Sequence, residues 1–185
     1  MSIGITEVRP GSTIEIDGVP YYTVEYQHVK MAQRAWVRTK LKNLRTGAIF
    51  EKTFNVDEKV ERAQIDRKEM QYLYHDEYVY HFMDNENYEQ IAIPKDKLGD
   101  VVRFFIDGSV VTLMFYGKEC LGVDMPASVI MKVTEAPPGY KGDTVSGATK
   151  PAVVESGINV NVPLFVNTGD KIKIDTRSGK YIERA

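Results

Sequence analysis

Trp36-Val37-Arg38-Thr39-Lys40-Leu41-Lys42-Asn43 alternates without a break. Val37, Thr39 and Leu41 fall on one side of an extended chain, and Trp36, Arg38, Lys40 and Lys42 on the other. A period of two with one apolar side is the mark of a half-buried β-strand. Upstream, Thr13-Ile14-Glu15-Ile16 alternates, Asp17-Gly18 supplies the left-handed dihedrals of a tight hairpin, and Tyr22, Val24 and Tyr26 resume the alternation. Strands over Tyr22–Lys30 and Ala35–Asn43 are predicted to form an arm that turns at Met31-Ala32-Gln33-Arg34. Thr46-Gly47 then returns the chain into Ala48–Phe54. A small barrel-like unit ends near Ala63.

The same signals continue downstream. Met70–Tyr74 and Tyr78–Met83 read as strands around the polar break His75-Asp76-Glu77. A helix is predicted after Pro94, with Leu98, Val101, Val102 and Phe105 as its apolar stripe and Gly108 at its exit. Val110–Phe115 and Cys120–Val123 pair around Gly117, and Met125-Pro126 marks a boundary. Val129, Met131 and Val133 open a third unit, which continues through strands at Ile158–Val162, Lys171–Asp175 and Tyr181–Glu183. The reading is an all-β chain of three units: residues 1–63, 64–127 and 128–185.

Composition narrows the function. The chain has 185 residues, 43% hydrophobic and 27% charged, which is globular rather than disordered. No apolar run reaches the roughly 18 residues of a membrane span, and the first residues lack the layout of a secretory signal. A cytoplasmic protein that uses no membrane is expected. The single cysteine, Cys120, excludes an internal disulfide and reads as a small buried hydrophobe. His28, His75 and His81 stand in no nucleophile turn and no metal-ligand spacing, and neither glycine-rich phosphate motif is present. The expectation is a protein that is not an enzyme, without metal or cofactor.

Charge is uneven. Gln27–Lys52 holds seven basic residues (Lys30, Arg34, Arg38, Lys40, Lys42, Arg45, Lys52) against Glu51 alone, a net of +6. Residues 64–127 carry a net of −6, and residues 128–185 a net of +2. Cations at every second position of a strand repeat at about 6.6 Å, close to the spacing of phosphates along a single strand. Trp36 leads that face and is suited to stack on a base or ribose. His28, Lys30, Arg38, Lys40, Lys42 and Arg45 are therefore the candidate RNA-binding residues. The polar stretch Gly139–Lys150 is a second candidate. Its small residues allow backbone amides close to a phosphate or base, and Lys141 and Lys150 add charge.

Several of these segments also resemble the bacterial translation elongation factor P family. The match runs through Gln27-His28-Val29-Lys30, Val37–Gly47 and Met70-Gln71-Tyr72-Leu73-Tyr74. It continues through Gly142-Asp143-Thr144, Thr149-Lys150-Pro151-Ala152, Gly157, Val160, Val162–Val166 and Gly169-Asp170. The resemblance implies a KOW/SH3-like barrel followed by two OB-fold barrels in an elongated, tRNA-like shape. It also implies a monomeric, non-catalytic factor that binds both ribosomal subunits between the peptidyl and exit sites. There it would lie beside peptidyl-tRNA and promote peptide bond formation at stalls such as consecutive prolines. The arm's tip, here Met31, Ala32, Gln33 and Arg34, would point toward the peptidyl-transferase centre. Gly142, Asp143, Thr144, Ser146, Gly147, Thr149 and Lys150 would lie near the small subunit and its exit-site codon.

The tip departs from the family. Relatives commonly carry Pro-Gly-Lys-Gly or an Arg variant there, often modified on that Lys or Arg. This chain has Met31-Ala32-Gln33-Arg34, one residue shorter and without Pro or Gly. Lysine modification does not carry over: counting from the left flank puts Gln33 at the tip, and a one-residue slip puts Arg34 there. Arg34 is either free or modified as in Arg-tipped relatives. Two alternatives stand beside the main reading: a specialised paralogue of the factor, or a general RNA-binding protein built from KOW and OB modules.

Overall fold

The computed structural model describes residues 2–31, 34–139 and 148–185. Among them, sixteen strands form three sheets. The first contains β1 (Ser2–Gly4), β2 (Thr13–Ile16), β3 (Val19–Met31), β4 (Arg34–Asn43), β5 (Ile49–Asn55) and β6 (Lys59–Arg62), in the spatial order β1-β6-β2-β3-β4-β5. Asp17 and Gly18 turn β2 into β3 at φ +51° and +74°, the left-handed pair that the sequence requires there. The inward side chains Ile14, Val37, Leu41, Phe54 and Val60 pack with Ile5 and Val8 into one core.

The second sheet contains β7 (Asp66–His75), β8 (Val79–Asp84), β9 (Gln90–Pro94), β10 (Val110–Tyr116) and β11 (Glu119–Val123), ordered β11-β10-β7-β8-β9. Its interior is aromatic: Tyr72, Tyr80, Phe82 and Phe105 meet with ring centroids 5.3–6.0 Å apart, in tilted and edge-on arrangements.

The third sheet contains β12 (Ser128–Glu135), β13 (Thr149–Val154), β14 (Asn159–Pro163), β15 (Lys171–Asp175) and β16 (Tyr181–Arg184), ordered β14-β13-β12-β15-β16. Met131, Val133, Ala152, Val154, Val160, Val162, Ile172 and Ile174 alternate inward to form its core.

The predicted helix is shorter than its apolar stripe suggests. It amounts to one turn, α1 (Lys95–Leu98), followed by a 3-10 segment, Gly99–Phe104. Gly99 breaks the α geometry at φ +69°, ψ −159°, and by Phe105 the backbone is extended. The stripe is apolar because the short segment faces two cores, as Phe104 and Phe105 show below.

The chain divides into two compact units. One comprises the residues through Asp66 together with Met114–Leu121, and the other Arg67–Leu113 with Gly122–Ala185. The tip of the β10–β11 hairpin thus groups with the first sheet.

Candidate nucleic-acid interface

The arm is the β3–β4 ladder, whose last described pair is Met31 opposite Arg34. Of the expected tip residues, Ala32 and Gln33 lie outside the described residues; Met31 and Arg34 are both exposed. Register places the side chains in rows across β3, β4 and β5. Trp36 lies between Val29 and Asn55, Arg38 between Gln27 and Thr53, and Lys40 between Glu25 and Glu51. Directly paired residues share a face, so Arg34, Trp36, Arg38, Lys40 and Lys42 form one outward row along β4. The alternation is as read from the sequence: Val37, Thr39 and Leu41 are buried on the other side.

Two details differ from a uniform cationic stripe. His28 pairs with Val37 and Lys30 with Ala35, so these two residues project from the opposite face of the arm. The charges are also not all free. Lys40 Nζ donates to Glu25 Oε1 at 3.2 Å, and Arg45 Nε donates to Glu119 Oε2 at 2.9 Å. Arg45 also lies over the Tyr116 ring, 6.0 Å from its centroid. Tyr116 in turn donates its hydroxyl to Glu15. Arg34, Arg38, Lys42, Lys30 and His28 are exposed and have no ion-pair partner among the described residues.

Sequence reasoning missed both acids. Glu25 lies two residues before the counted basic window, and a bulge between Thr23 and Glu25 brings it opposite Lys40. Glu119 is 74 residues from Arg45, with no local signal for the pairing.

The second candidate region falls mostly outside the described residues, which exclude Gly142, Asp143, Thr144, Ser146 and Gly147. Thr149 is exposed at the start of β13, opposite Pro163. Lys150 differs from the expectation of a surface charge. It is 6% exposed, and its ammonium donates to the Pro137 carbonyl at 2.7 Å. The alternation of β13 points Lys150 inward with Ala152 and Val154, so its long stem is buried with the core. Gly139 runs close to Leu164: a Cβ there would lie 2.9 Å from the Leu164 carbonyl oxygen, too close for any other residue without movement.

Among the described residues, no group of three His, Cys, Asp or Glu could hold a metal ion, and no helix is long and apolar enough to cross a membrane. An exposed row of cations and one tryptophan on a three-stranded face can bind a polyanion and stack on a base; it offers no acid–base pair or nucleophile for covalent chemistry.

Comparison with known proteins gives three consecutive family matches. Residues 5–60 match the elongation factor P KOW-like domain, residues 65–123 the elongation factor P OB domain, and residues 129–184 the elongation factor P C-terminal domain. Elongation factor P of Moorella thermoacetica is 50% identical over 184 residues, 99% of this chain and 100% of its own. That of Thermoanaerobacter sp. is 50% identical over 183 residues, 98% of this chain and 99% of its own. That of Dictyoglomus turgidum is 46% identical over 184 residues, 99% and 100% respectively. Among solved structures, eukaryotic translation initiation factor 5A from Methanococcus jannaschii shares the fold. Its TM-score is 0.54 at 22% identity, over 66% of this chain and 95% of that one.

Proposed function

Because this chain belongs to the elongation factor P family, and is a translation elongation factor rather than an enzyme, we propose that it works beside peptidyl-tRNA. In this reading it binds both ribosomal subunits between the peptidyl and exit sites and promotes peptide bond formation at stalls such as consecutive prolines. It acts as three modules, residues 1–63, 64–127 and 128–185, in the cytoplasm and apart from membranes.

The observation that carries this reading is the outward row on β4. Arg34, Arg38 and Lys42 are exposed on one face of β4 with no acid within ion-pair distance among the described residues. Phosphates meeting that row would release counterions, and two strands locked by ten register pairs would hold the row in place. A proline limits the reactive poses of a chain because its ring fixes φ. An arm that holds the acceptor end of the tRNA removes unproductive orientations, which lowers the barrier without any group on the factor entering the chemistry. Met31, Ala32, Gln33 and Arg34 form the end directed at the reacting centre, and the segment from Gly142 to Thr149 is the small-subunit contact. Lys150, buried and bonded to the Pro137 carbonyl, belongs to the fold rather than to that contact.

The test is pelleting with ribosomes that carry peptidyl-tRNA, across a range of salt. Arg38→Glu with Lys42→Glu is expected to weaken binding strongly and flatten its salt dependence. It should also slow peptide bond formation at consecutive prolines. Unchanged binding at every salt concentration overturns the reading.

A further inference from the structure

Beside the cationic row lies a shallow recess of about 680 Å³, lined by Arg34, Ala35, Trp36, Thr53, Asn55, Val56 and Asp57. We propose that this recess takes one unpaired RNA base, stacked on Trp36 and read along its edge by Asn55 and Asp57. The proposal rests on the RNA-binding reading above and specifies what the arm recognises besides phosphate.

Three observations carry it. Trp36 sits in the row between Val29 and Asn55, half-buried, and lines the recess. A half-buried indole is the usual platform for an unstacked base. Second, Asn55 is held in place. Its side-chain amide and its backbone N–H both donate to Glu58 Oε1, each at 2.8 Å, which fixes the amide with its carbonyl oxygen and its second N–H free to bond. Together with the Asp57 carboxylate and the Thr53 hydroxyl, which accepts as well as donates, the wall offers more acceptors than donors. A base with an exocyclic amino group, such as cytosine or adenine, offers the matching donors, whereas uracil presents a carbonyl at that position. Third, Arg34 stands at the rim and Arg38 one row further along β4, which places cations where the phosphates flanking a seated base would run. An acidic wall without those cations would repel RNA; with them, base and backbone are recognised by different parts of one face.

Trp36 is the single tryptophan of the chain, so its fluorescence reports the recess directly. The probe is a hairpin RNA with a four-cytidine single-stranded 3′ tail, compared with one carrying a four-uridine tail, each labelled at its 5′ end. Label anisotropy reads binding; quenching of Trp36 reads stacking. The expected result is saturable quenching that tracks anisotropy and tighter binding of the cytidine tail. Trp36→Ala should weaken binding by at least about fivefold, and Trp36→Phe should retain most of it. Asn55→Ala should erase the difference between the two tails. Binding seen by anisotropy without quenching, or with no preference between tails, overturns the recess and leaves the cationic arm intact. Absence of binding by anisotropy overturns both. Should Trp36→Ala lower the melting temperature, the comparison of the two tails in the unaltered protein decides the matter.

Discussion

Phe104 and Phe105 are neighbours in sequence, yet their rings are buried in two different cores. Phe104 packs with Met131, Val133 and Ile174 of the third sheet, while Phe105 packs with Tyr72, Tyr80 and Phe82 of the second. The 3-10 segment ends between them, and the extended backbone at Phe105 sends the next ring the other way. Arg103 adds a contact: its guanidinium lies over the Phe104 ring at 4.9 Å and reaches the Arg177 carbonyl at 3.5 Å. The two sheets therefore share an apolar link through one dipeptide, in agreement with their grouping as one unit. Phe104→Ala should cost about 3–5 kcal/mol and split calorimetric unfolding into separate transitions for the two sheets. Phe105→Ala should cost a similar amount but lower the shared transition without dividing it. One undivided transition in Phe104→Ala would show that the link is not what couples them.

The cations of the first sheet should not contribute equally to RNA binding. Arg38 has no ion-pair partner among the described residues, whereas Arg45 is bonded to Glu119. Arg38→Ala is expected to weaken ribosome binding and lower the salt slope by about one. Arg45→Ala should leave the slope nearly unchanged, and its effect on stability should be small, within about 1 kcal/mol, because the pair is a third exposed on each side. The ranking is read from binding isotherms at several salt concentrations, and equal slopes for the two variants would contradict it.

Lys150 should behave as a structural residue. Replacing it by methionine keeps most of the buried stem but leaves the Pro137 carbonyl without its donor, a loss of about 1–3 kcal/mol. Thermal melting should fall accordingly, while the salt slope of ribosome binding stays as in the unaltered protein. A drop of one in that slope, with no change in melting, would return Lys150 to the surface role expected from its sequence context.

These cases mark what could be read from sequence. The alternation from Trp36 to Asn43 gave the strand and its two faces correctly because both depend only on neighbours two residues apart. Asp17-Gly18 likewise encodes its own turn. The pairing of Lys40 with Glu25 depends on a bulge, which shifts register by one residue and leaves no mark in composition. The inward direction of Lys150 was hidden by its type, since a lysine among threonine and glycine reads as surface unless the strand it opens is known to alternate with Ala152 and Val154. The Trp36 recess needed β5: Asn55 and Asp57 stand about twenty residues along the chain and meet Trp36 only through the sheet.

Tyr72 carries a prediction about alkaline stability. Its hydroxyl shares a 2.5 Å hydrogen bond with His75 Nδ1 inside the aromatic cluster. Burial, then the nearby Asp107 carboxylate and then Tyr80 disfavour the phenolate, so its pKa is pushed up to about 12 from an ordinary value near 10. Below pH 10 the group is protonated in both the folded and the unfolded chain, and its contribution is fully present. Between pH 10 and 12 the unfolded chain loses this proton and the folded chain keeps it, so unfolding is favoured progressively as pH rises. Tyr72→Phe cannot ionise and lacks that dependence. It should be less stable than the parent below pH 10 by about 0.5–1.5 kcal/mol, the value of the lost hydrogen bond, and the gap should close as pH approaches 12. Denaturant titrations of both proteins at pH 8, 10, 11 and 12 measure the difference directly, with the other tyrosines common to both. A gap that stays constant across that range would mean that Tyr72 ionises as readily in the fold as outside it.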